Sequence, residues 1–176
     1  MAAFELVPHP DTGPAGDVRV TVDAIRDNDA LYLRFVIGGK AQIVMPKRTA
    51  CGRGDQLWRS TCVEAFVQTP GSNSYVELNF APSLKWAAYH FGGYRDGMRD
   101  ASLTPMFERL GTVFQARIDF SACPAYRATG WNVGLSAVIE EIDGTKSYWA
   151  LAHAPGSPDF HNRDCWTARL PAPDPS

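Results

Sequence analysis

Apolar and polar residues alternate along much of this sequence with a period of two. Val18, Val20 and Val22 are separated by polar residues, and the same alternation runs through residues 31–37. This period places successive side chains on opposite faces of a β-strand, so it predicts strands with one buried face. Helix signals are weak, and only residues 103–109 are predicted to form one or two helical turns. The chain is therefore predicted to be all-β.

Turn residues divide the chain into short predicted strands. These strands cover residues 18–22, 31–37, 41–45, 61–68, 75–80, 85–91, 113–120, 131–140, 147–152 and 167–170. Short strands between turns are typical of a two-sheet antiparallel β-sandwich of the jelly-roll or immunoglobulin-like kind, with a barrel as the alternative. A chain of 176 residues has the size of one domain, so we predict a single domain over residues 1–176 with a frayed tail at 170–176.

Charge and hydropathy argue against several classes of partner. The chain has 17 basic and 19 acidic residues, so a general electrostatic attraction to nucleic acid or to an anionic membrane is not expected. Its apolar runs are far shorter than the ~20 residues that span a bilayer. The N-terminus lacks the basic start and apolar stretch of a secretory signal, which predicts a cytoplasmic location. The oligomeric state is left open.

The cysteines are predicted to be free, buried thiols. None of the four is part of a Cys-x-x-Cys pair, and a cytoplasmic location disfavours disulfides. They are Cys51, Cys62, Cys123 and Cys165. Cys62 precedes an apolar stretch and is expected to pack as a small apolar side chain in a strand.

Two glutamates on neighbouring predicted strands are the first candidates for a functional site. Glu64 and Glu77 flank a short Pro-Gly turn, so a hairpin would bring them close together on one face. Three interpretations are open: an acid/base pair as in glycosidases, acceptors for ligand hydroxyls together with Asn79, or a solvated sheet face. Because two like charges in proximity are destabilising, we expect Arg95, Lys85 or a cation nearby.

Aromatic residues in polar loops are the second group of candidates. Trp58 follows Asp55 in a polar loop, and Tyr94 precedes Arg95 in a segment flanked by glycines. An aromatic ring beside fixed hydrogen-bonding groups suits a sugar, because the C–H face of the sugar stacks on the ring while its hydroxyls bind the polar groups. For each aromatic taken singly, packing in the core is the competing interpretation.

The histidines carry separate expectations. His153 and His161 flank a loop that contains Asp159, and this group could bind a ligand or a metal ion. The spacing of the two histidines matches no closed zinc site, so a metal is the minor interpretation. His9 is expected to be exposed, and His90 is expected to be a structural imidazole with its hydrogen bonds satisfied.

A characteristic pair of strands suggests a family. An Asp in a loop precedes a V-E-x-F strand, a short Pro/Gly turn and a Y-x-E-x-N strand, and the whole run covers residues 55–98. This run resembles DOMON-like domains of the type found in carbohydrate-binding module family 9. The run at residues 143–161 resembles the C-terminal part of bacterial DOMON-like proteins.

The resemblance implies a β-sandwich whose members bind sugars or, in some branches, haem. The positions that match the polar part of the motif are Asp55, Glu64, Glu77 and Asn79. A haem branch would need axial ligands, commonly Met with His or Lys. The candidates are Met45, Met98, Met106, His90 and His153, and no spacing selects a pair.

We therefore predict non-catalytic binding of a small ligand, a carbohydrate or a sugar-containing metabolite, with no required cofactor. The predicted ligand-binding residues are Asp55, Trp58, Glu64, Glu77, Asn79, Tyr94, Arg95, His153 and His161. The alternatives are a glycoside-active enzyme that uses Glu64 and Glu77, a haem or metal protein, and a purely structural partner domain, which would show a large exposed apolar patch. Scattered oxygen ligands leave calcium open.

Overall fold

The computed structural model describes residues 2–173, which consist mainly of short β-strands. The strands are β1 (Ala2–Glu5), β2 (Val7–Pro8), β3 (Val18–Asp27), β4 (Ala30–Gly39), β5 (Gly52–Arg53), β6 (Cys62–Gln68), β7 (Tyr75–Phe80), β8 (Lys85–Phe91), β9 (Arg99–Asp100), β10 (Met106–Leu110), β11 (Val113–Asp119), β12 (Trp131–Glu140), β13 (Lys146–Ala150) and β14 (Ala168–Leu170). A short helix, α1 (Pro124–Arg127), and 3-10 turns at Leu57–Arg59 and Arg163–Cys165 accompany them.

The strands form two sheets. One has five strands in the order β1-β3-β4-β11-β10. The other has nine strands: seven follow the order β2-β13-β12-β6-β7-β8-β5, while β14 pairs with β12 and β9 pairs with β8. Neighbouring strands are antiparallel except β5 and β8, which are parallel. The predicted all-β, two-sheet antiparallel sandwich is confirmed. The finer topology class and the single-domain organisation stay predictions.

The main core lies between the two sheets. Val20 and Leu33 from the five-stranded sheet share one buried cluster with Val63, Leu78 and Leu135 from the nine-stranded sheet. These side chains occupy alternate positions of their strands, as the period-two pattern predicts. Trp131 and Phe35 belong to the same cluster.

A second buried cluster covers the other face of the nine-stranded sheet. Every residue of β6 and β7 is buried, so these strands are covered on both faces. Phe66, Tyr75 and Phe91 on this outer face pack against Phe160 and Trp166, which belong to the segment after β13. Loops folded over the sheet thus create a second, smaller interior, and the candidate site lies there.

Several local predictions are wrong. Residues 103–109 do not form a helix, since Met106–Leu110 is strand β10 and pairs with β11. A short apolar run is compatible with either a helix or a strand, and pairing with β11 makes this segment a strand. The predicted strand at 41–45 is reduced to one bridge between Ile43 and Glu141. Strands β1, β2, β5 and β9 were not predicted.

The chain end and the cysteines also differ in part from prediction. Leu170 is a buried residue of β14 and not part of a frayed tail, while residues 174–176 lie outside the described range. All four cysteines are free, and Cys62 is buried in β6 as predicted. Cys51, however, is exposed. Within residues 2–173, no helix has the length and apolar character needed to cross a membrane.

Candidate functional site

A cavity of about 370 Å³ lies on the outer face of the nine-stranded sheet. We call it the central cavity. Strands β6, β7, β8, β12 and β13 contribute side chains to it, and the loops before β6, after β8 and after β13 complete its walls. Its lining comprises Trp58, Glu64, Glu77, Tyr89, Phe91, Arg95, Met98, Val138, Tyr148, Pro158, Phe160 and His161. Its size falls within the range of small-molecule sites.

The structure brings together five of the nine predicted ligand-binding residues. Trp58, Glu64, Glu77, Arg95 and His161 line the central cavity. The four that are not part of its lining are Asp55, Asn79, Tyr94 and His153. Asp55 and Asn79 each bind a lining residue, and Tyr94 binds Asp159 in the loop that carries His161. His153 lies elsewhere.

Glu64 is a buried carboxyl group at the base of the cavity. Strands β6 and β7 pair as predicted, which places Glu64 opposite Asn79 and on the same outer face as Glu77. Glu64 is only 3% exposed, and within the described residues its Oε1 atom has no hydrogen-bond partner. Burial raises the pKa of Glu64 well above its ordinary value, and the neighbouring Glu77 raises it further. A solvated sheet face is therefore excluded.

Glu77 differs from Glu64 because both of its oxygens face protein groups. Asn79 Nδ2 donates a 2.7 Å hydrogen bond to Glu77 Oε1, and Glu77 Oε2 lies 3.6 Å from His161 Nε2. Burial raises the pKa of Glu77, while the Asn79 hydrogen bond and Arg95 oppose the rise. Asn79 is fully buried, so it holds Glu77 from behind and does not reach the cavity.

His161 is a neutral imidazole at pH 7. Burial, with Arg95 nearby, lowers the pKa of His161 to about 4. Its Nδ1 lies 2.7 Å from the Tyr75 hydroxyl, whose oxygen also accepts the backbone N–H of Arg95 at 3.2 Å. The hydrogen bonds of the Tyr75 hydroxyl, the Arg95 N–H and His161 Nδ1 can all form when the Tyr75 hydroxyl donates to Nδ1. The proton of His161 is then on Nε2 and points toward Glu77. The contact with Glu77 is thus a polar contact and not an ion pair.

Arg95 supplies the positive charge that the two glutamates were expected to need. It lines the cavity beside them, and an ion pair with Asp159 at 2.7 Å fixes its position. Tyr94 also donates a hydrogen bond to Asp159, but its ring is 58% exposed and lies outside the lining. Lys85, the other expected cation, does not line the cavity.

Trp58 forms one rim of the cavity. Its side chain is 40% exposed, and its ring meets Tyr89 edge to face with centroids 6.5 Å apart. The Tyr89 hydroxyl donates a 2.6 Å hydrogen bond to Asp55 Oδ1. Asp55 therefore positions the tyrosine that supports Trp58 and does not contact the cavity itself.

The remaining histidines are placed away from the cavity. His153 Nε2 lies 2.9 Å from the carbonyl oxygen of Val7, and its ring packs against His9 at 4.9 Å. His9 is buried, so its predicted exposure is wrong, because β2 and the turn at Asp11 fold it against the sheet. His90 Nδ1 has no hydrogen-bond partner within residues 2–173, so the prediction of a satisfied imidazole is also wrong.

Sequence reasoning missed the apolar part of the lining. The residues missed are Tyr89, Phe91, Met98, Val138, Tyr148, Pro158 and Phe160. One signal was available: strands β6 and β8 are apolar at consecutive positions over residues 65–67 and 86–89, which is typical of strands covered on both faces. That signal indicates a covered outer face, although it does not identify the covering loops.

The residues present do not fit a haem site. In the described part of the chain, no group of three or more His, Cys, Asp or Glu side chains is placed to hold a metal ion. Of the residues considered as haem ligands, Met98 alone lines the cavity. The histidine that does line it, His161, faces Tyr75 through one ring nitrogen and Glu77 through the other. The prediction that no cofactor is required stays a prediction.

Comparison with known proteins identifies the fold. No family profile and no curated protein matches the sequence. A Bacteroides uniformis ATCC 8492 protein proposed to bind carbohydrate superposes with a TM-score of 0.70 at 15% identity, over 98% of this chain and 87% of that chain.

Two structures of family 9 carbohydrate-binding modules from Caldicellulosiruptor kristjanssonii are also similar. The complex with cellotriose gives a TM-score of 0.55 at 11% identity, covering 98% of this chain and 84% of that chain. The complex with glucose gives 0.53 at 12% identity, covering 93% and 81%. The fold implied by the family 9 resemblance is thereby confirmed, whereas the DOMON part of the resemblance stays a prediction. This chain has the β-sandwich fold of family 9 carbohydrate-binding modules.

Proposed function

We propose that this chain binds a saccharide in the central cavity without transforming it. The observation that carries the proposal is the pairing of a partly exposed Trp58 ring with the buried Glu64 carboxyl, whose Oε1 has no hydrogen-bond partner within residues 2–173. The structurally similar family 9 modules were solved with cellotriose and glucose, which supports a saccharide ligand. A cytoplasmic location and the lack of nucleic-acid or membrane partners rest on the sequence alone.

The chemistry of the cavity suits a sugar. The C–H face of a pyranose ring can pack on Trp58, with Tyr89 and Phe91 adding further apolar surface. A sugar hydroxyl both donates and accepts hydrogen bonds, so it can pair with Glu64 in either protonation state of the carboxyl group. The Arg95 guanidinium has several N–H donors, and those not used by Asp159 are available to sugar oxygens.

The environment of Glu77 favours binding over hydrolysis. Glycosidases of the usual kind need two carboxyl groups that act on the glycosidic bond or on water. Here Glu77 is held by Asn79 on one oxygen and faces His161 with the other. That leaves Glu64 as the free carboxyl group of the pair, which is sufficient for recognition but not for a two-carboxyl mechanism.

Titration calorimetry with a panel that includes glucose, cellobiose and cellotriose tests the proposal. We expect saturable binding of at least one saccharide, and we expect Trp58→Ala to weaken it by about fivefold or more, because a lost aromatic contact is worth roughly 1 kcal/mol or more. Tyr32→Ala is the matched control, since Tyr32 has a similar exposure of 36% but lies in β4 of the other sheet. It should change affinity by less than about twofold.

Two results would contradict the proposal. One is an absence of saturable binding across the panel by a folded protein. The other is the release of shorter sugars during incubation, measured by chromatography and lost in Glu64→Gln, which would establish the glycoside-active alternative instead.

A further inference from the structure

A second polar cleft lies on the same face of the nine-stranded sheet as the central cavity. It has a volume of about 290 Å³ and is formed around Trp166 by Gln68, Asn73, Asn132, Arg163 and Arg169. We call it the arginine cleft. Its lining shares no residue with that of the central cavity. Phe66 stacks on Trp166 and also contacts His161, so a layer of aromatic rings separates the two spaces.

The cleft carries uncompensated positive charge. Arg163 and Arg169 are the charged residues of its lining, and both are exposed. Across residues 2–173, neither forms an ion pair with a carboxylate within 4.0 Å. The ion pairs of the described chain involve other cations, so these two guanidinium groups are available to an external anion.

Neutral acceptors hold both guanidinium groups in place. Arg163 Nη2 donates to the carbonyl oxygen and to the Oδ1 atom of Asn73, at 3.2 and 3.1 Å. Arg169 Nη1 donates to the carbonyl oxygens of Trp166 and Ala168, at 2.6 and 2.9 Å. Each guanidinium has five N–H donors, so each keeps free donors after these contacts are made. The side chains are therefore oriented while their charge remains unneutralised.

Gln68 provides an independent indication of a ligand. It is 4% exposed, and its Nε2 has no hydrogen-bond partner in the described residues. Gln68 lies opposite Asn132 in the pairing of β6 with β12, and both residues line the cleft together with the two arginines. A buried amide without a partner is unusual and destabilising, and a bound group that accepts a hydrogen bond would satisfy it.

The floor of the cleft is fixed. The Trp166 indole nitrogen donates a 2.8 Å hydrogen bond to the carbonyl oxygen of Phe160, and the ring is buried against Gly134 of β12. A fixed aromatic floor with oriented donors around it needs little rearrangement to accept a ligand. Because these side chains lose little conformational freedom when a ligand binds, more of the interaction energy contributes to affinity.

We propose that the arginine cleft binds a small oxyanion, namely a phosphate or carboxylate group. Arginine guanidinium groups match both groups through paired hydrogen bonds, and the amides of Gln68 and Asn132 supply further neutral donors. The site is independent of the saccharide proposal because the two linings share no residue.

Titration of the folded full chain with inorganic phosphate, at constant ionic strength in chloride, tests the proposal; acetate serves as the carboxylate probe. We expect saturable binding of at least one anion at a single site. Arg163→Gln and Arg169→Gln should each weaken it by about tenfold or more, because each removes charge-assisted hydrogen bonds. Arg19→Gln is the matched control, since the Arg19 side chain is 73% exposed in β3 of the other sheet, and it should change affinity less than about twofold.

The experiment distinguishes a phosphate ligand from a carboxylate ligand, and it separates the anion proposal from the saccharide proposal. Tighter binding of phosphate would assign a phosphoryl ligand, and tighter binding of acetate a carboxylate. Trp58→Ala should leave anion binding unchanged, so failure of one site is separable from failure of the other. The proposal is overturned if folded wild-type protein binds neither anion up to about 10 mM, above the ~1 mM Kd of a weak site, or if Arg19→Gln reduces binding as much as the cleft variants.

Discussion

Glu64, Glu77 and His161 are three ionisable residues that line one small cavity, and the pKa of each is moved in the direction that favours its neutral form. Burial is the leading cause for all three, because removing a group from water disfavours its charged form. Such residues reduce stability relative to apolar ones and are common where a protein binds or reacts. At the residue scale, the central cavity therefore has the character of a binding site.

Replacing Glu64 by Gln is expected to stabilise the protein at pH 7. The pKa of Glu64 is raised in the folded state above its ordinary value near 4.5. The protein therefore keeps its full stability below pH 4.5 and loses part of it as the pH rises through the folded-state pKa of Glu64. Gln removes that loss, so the free energy of unfolding at pH 7 should increase by about 1 kcal/mol or more. Urea denaturation at pH 7 and pH 4 measures the effect.

The gain in stability of Glu64→Gln should disappear near pH 4. There the Glu64 carboxyl group of the wild type is protonated in the folded state and increasingly so in the unfolded state. Glu108→Gln, at an exposed position of β10, is the control and should stay within about 0.5 kcal/mol of wild type. An equal or lower stability of Glu64→Gln at pH 7 would show that Glu64 is not a strained buried acid.

His161 should give the wild type an acid-dependent loss of stability that His161→Gln lacks. Its folded pKa of about 4 lies below the ordinary 6.5, so the stability present above pH 6.5 is lost as pH falls toward 4. Between pH 7 and pH 4, the wild type should lose about 3 kcal/mol relative to the variant. Parallel curves of unfolding free energy against pH for the two proteins would refute the assignment of a neutral histidine.

At the scale of the elements, β12 shows how one strand serves two interiors. Leu135 and Ala137 face the core between the sheets, while Gly134 and Val138 face the covering loops. A Cβ atom built on Gly134 would lie 2.1 Å from Cδ1 of Trp166. The glycine is therefore required by close approach of the indole ring, and through that ring it sets the floor of the arginine cleft.

Gly134→Ala should destabilise the protein by about 1–3 kcal/mol or more, because the added methyl group displaces Trp166 from a packed interior. Gly38→Ala in β4 is the matched control: its Cβ would meet no atom within 4 Å, so the change should stay within about 1 kcal/mol of wild type. Thermal unfolding followed by circular dichroism measures both. A Gly134→Ala protein as stable as the control would show that Trp166 can be displaced without cost.

At the scale of the whole molecule, Arg26 joins parts of the chain that are distant in sequence. Its guanidinium lies 3.7 Å above the Trp131 ring and donates hydrogen bonds to five carbonyl oxygens. These carbonyls belong to the β3–β4 turn, to the segment around α1 and to the chain just after β14. One side chain thus connects a hairpin of the five-stranded sheet to the ends of two strands of the nine-stranded sheet.

Arg26→Lys should lower the free energy of unfolding by about 2 kcal/mol, because an ammonium group has fewer donors and cannot reach the same set of carbonyls. Arg34→Lys is the control, since Arg34 is an exposed residue with one 3.5 Å contact to Asp23 and should change stability by less than about 0.5 kcal/mol. Chemical denaturation at pH 7 compares them. Equal effects of the two variants would contradict a special role for Arg26.

Some of the predicted ligand-binding residues do not line the central cavity but contact residues that do. Asp55 accepts a hydrogen bond from Tyr89, and Asn79 donates one to Glu77. A motif indicates that polar groups are needed at these positions. It does not separate a group that touches a ligand from one that orients its neighbour, because that difference depends on side-chain direction in the folded protein.

The sequence by itself determined the β-sandwich class, most of the strands and the hairpin that brings Glu64 and Glu77 to one face. These features follow from local rules: alternation fixes the buried face of a strand, and a short turn fixes the pairing of its neighbours. Only the tertiary structure decided that the site is a half-open cavity bounded by loops. The contact of Tyr75 with His161 spans 86 residues, and that of Arg95 with Asp159 spans 64. No local pattern encodes such contacts, because they form only when loops pack over the sheet.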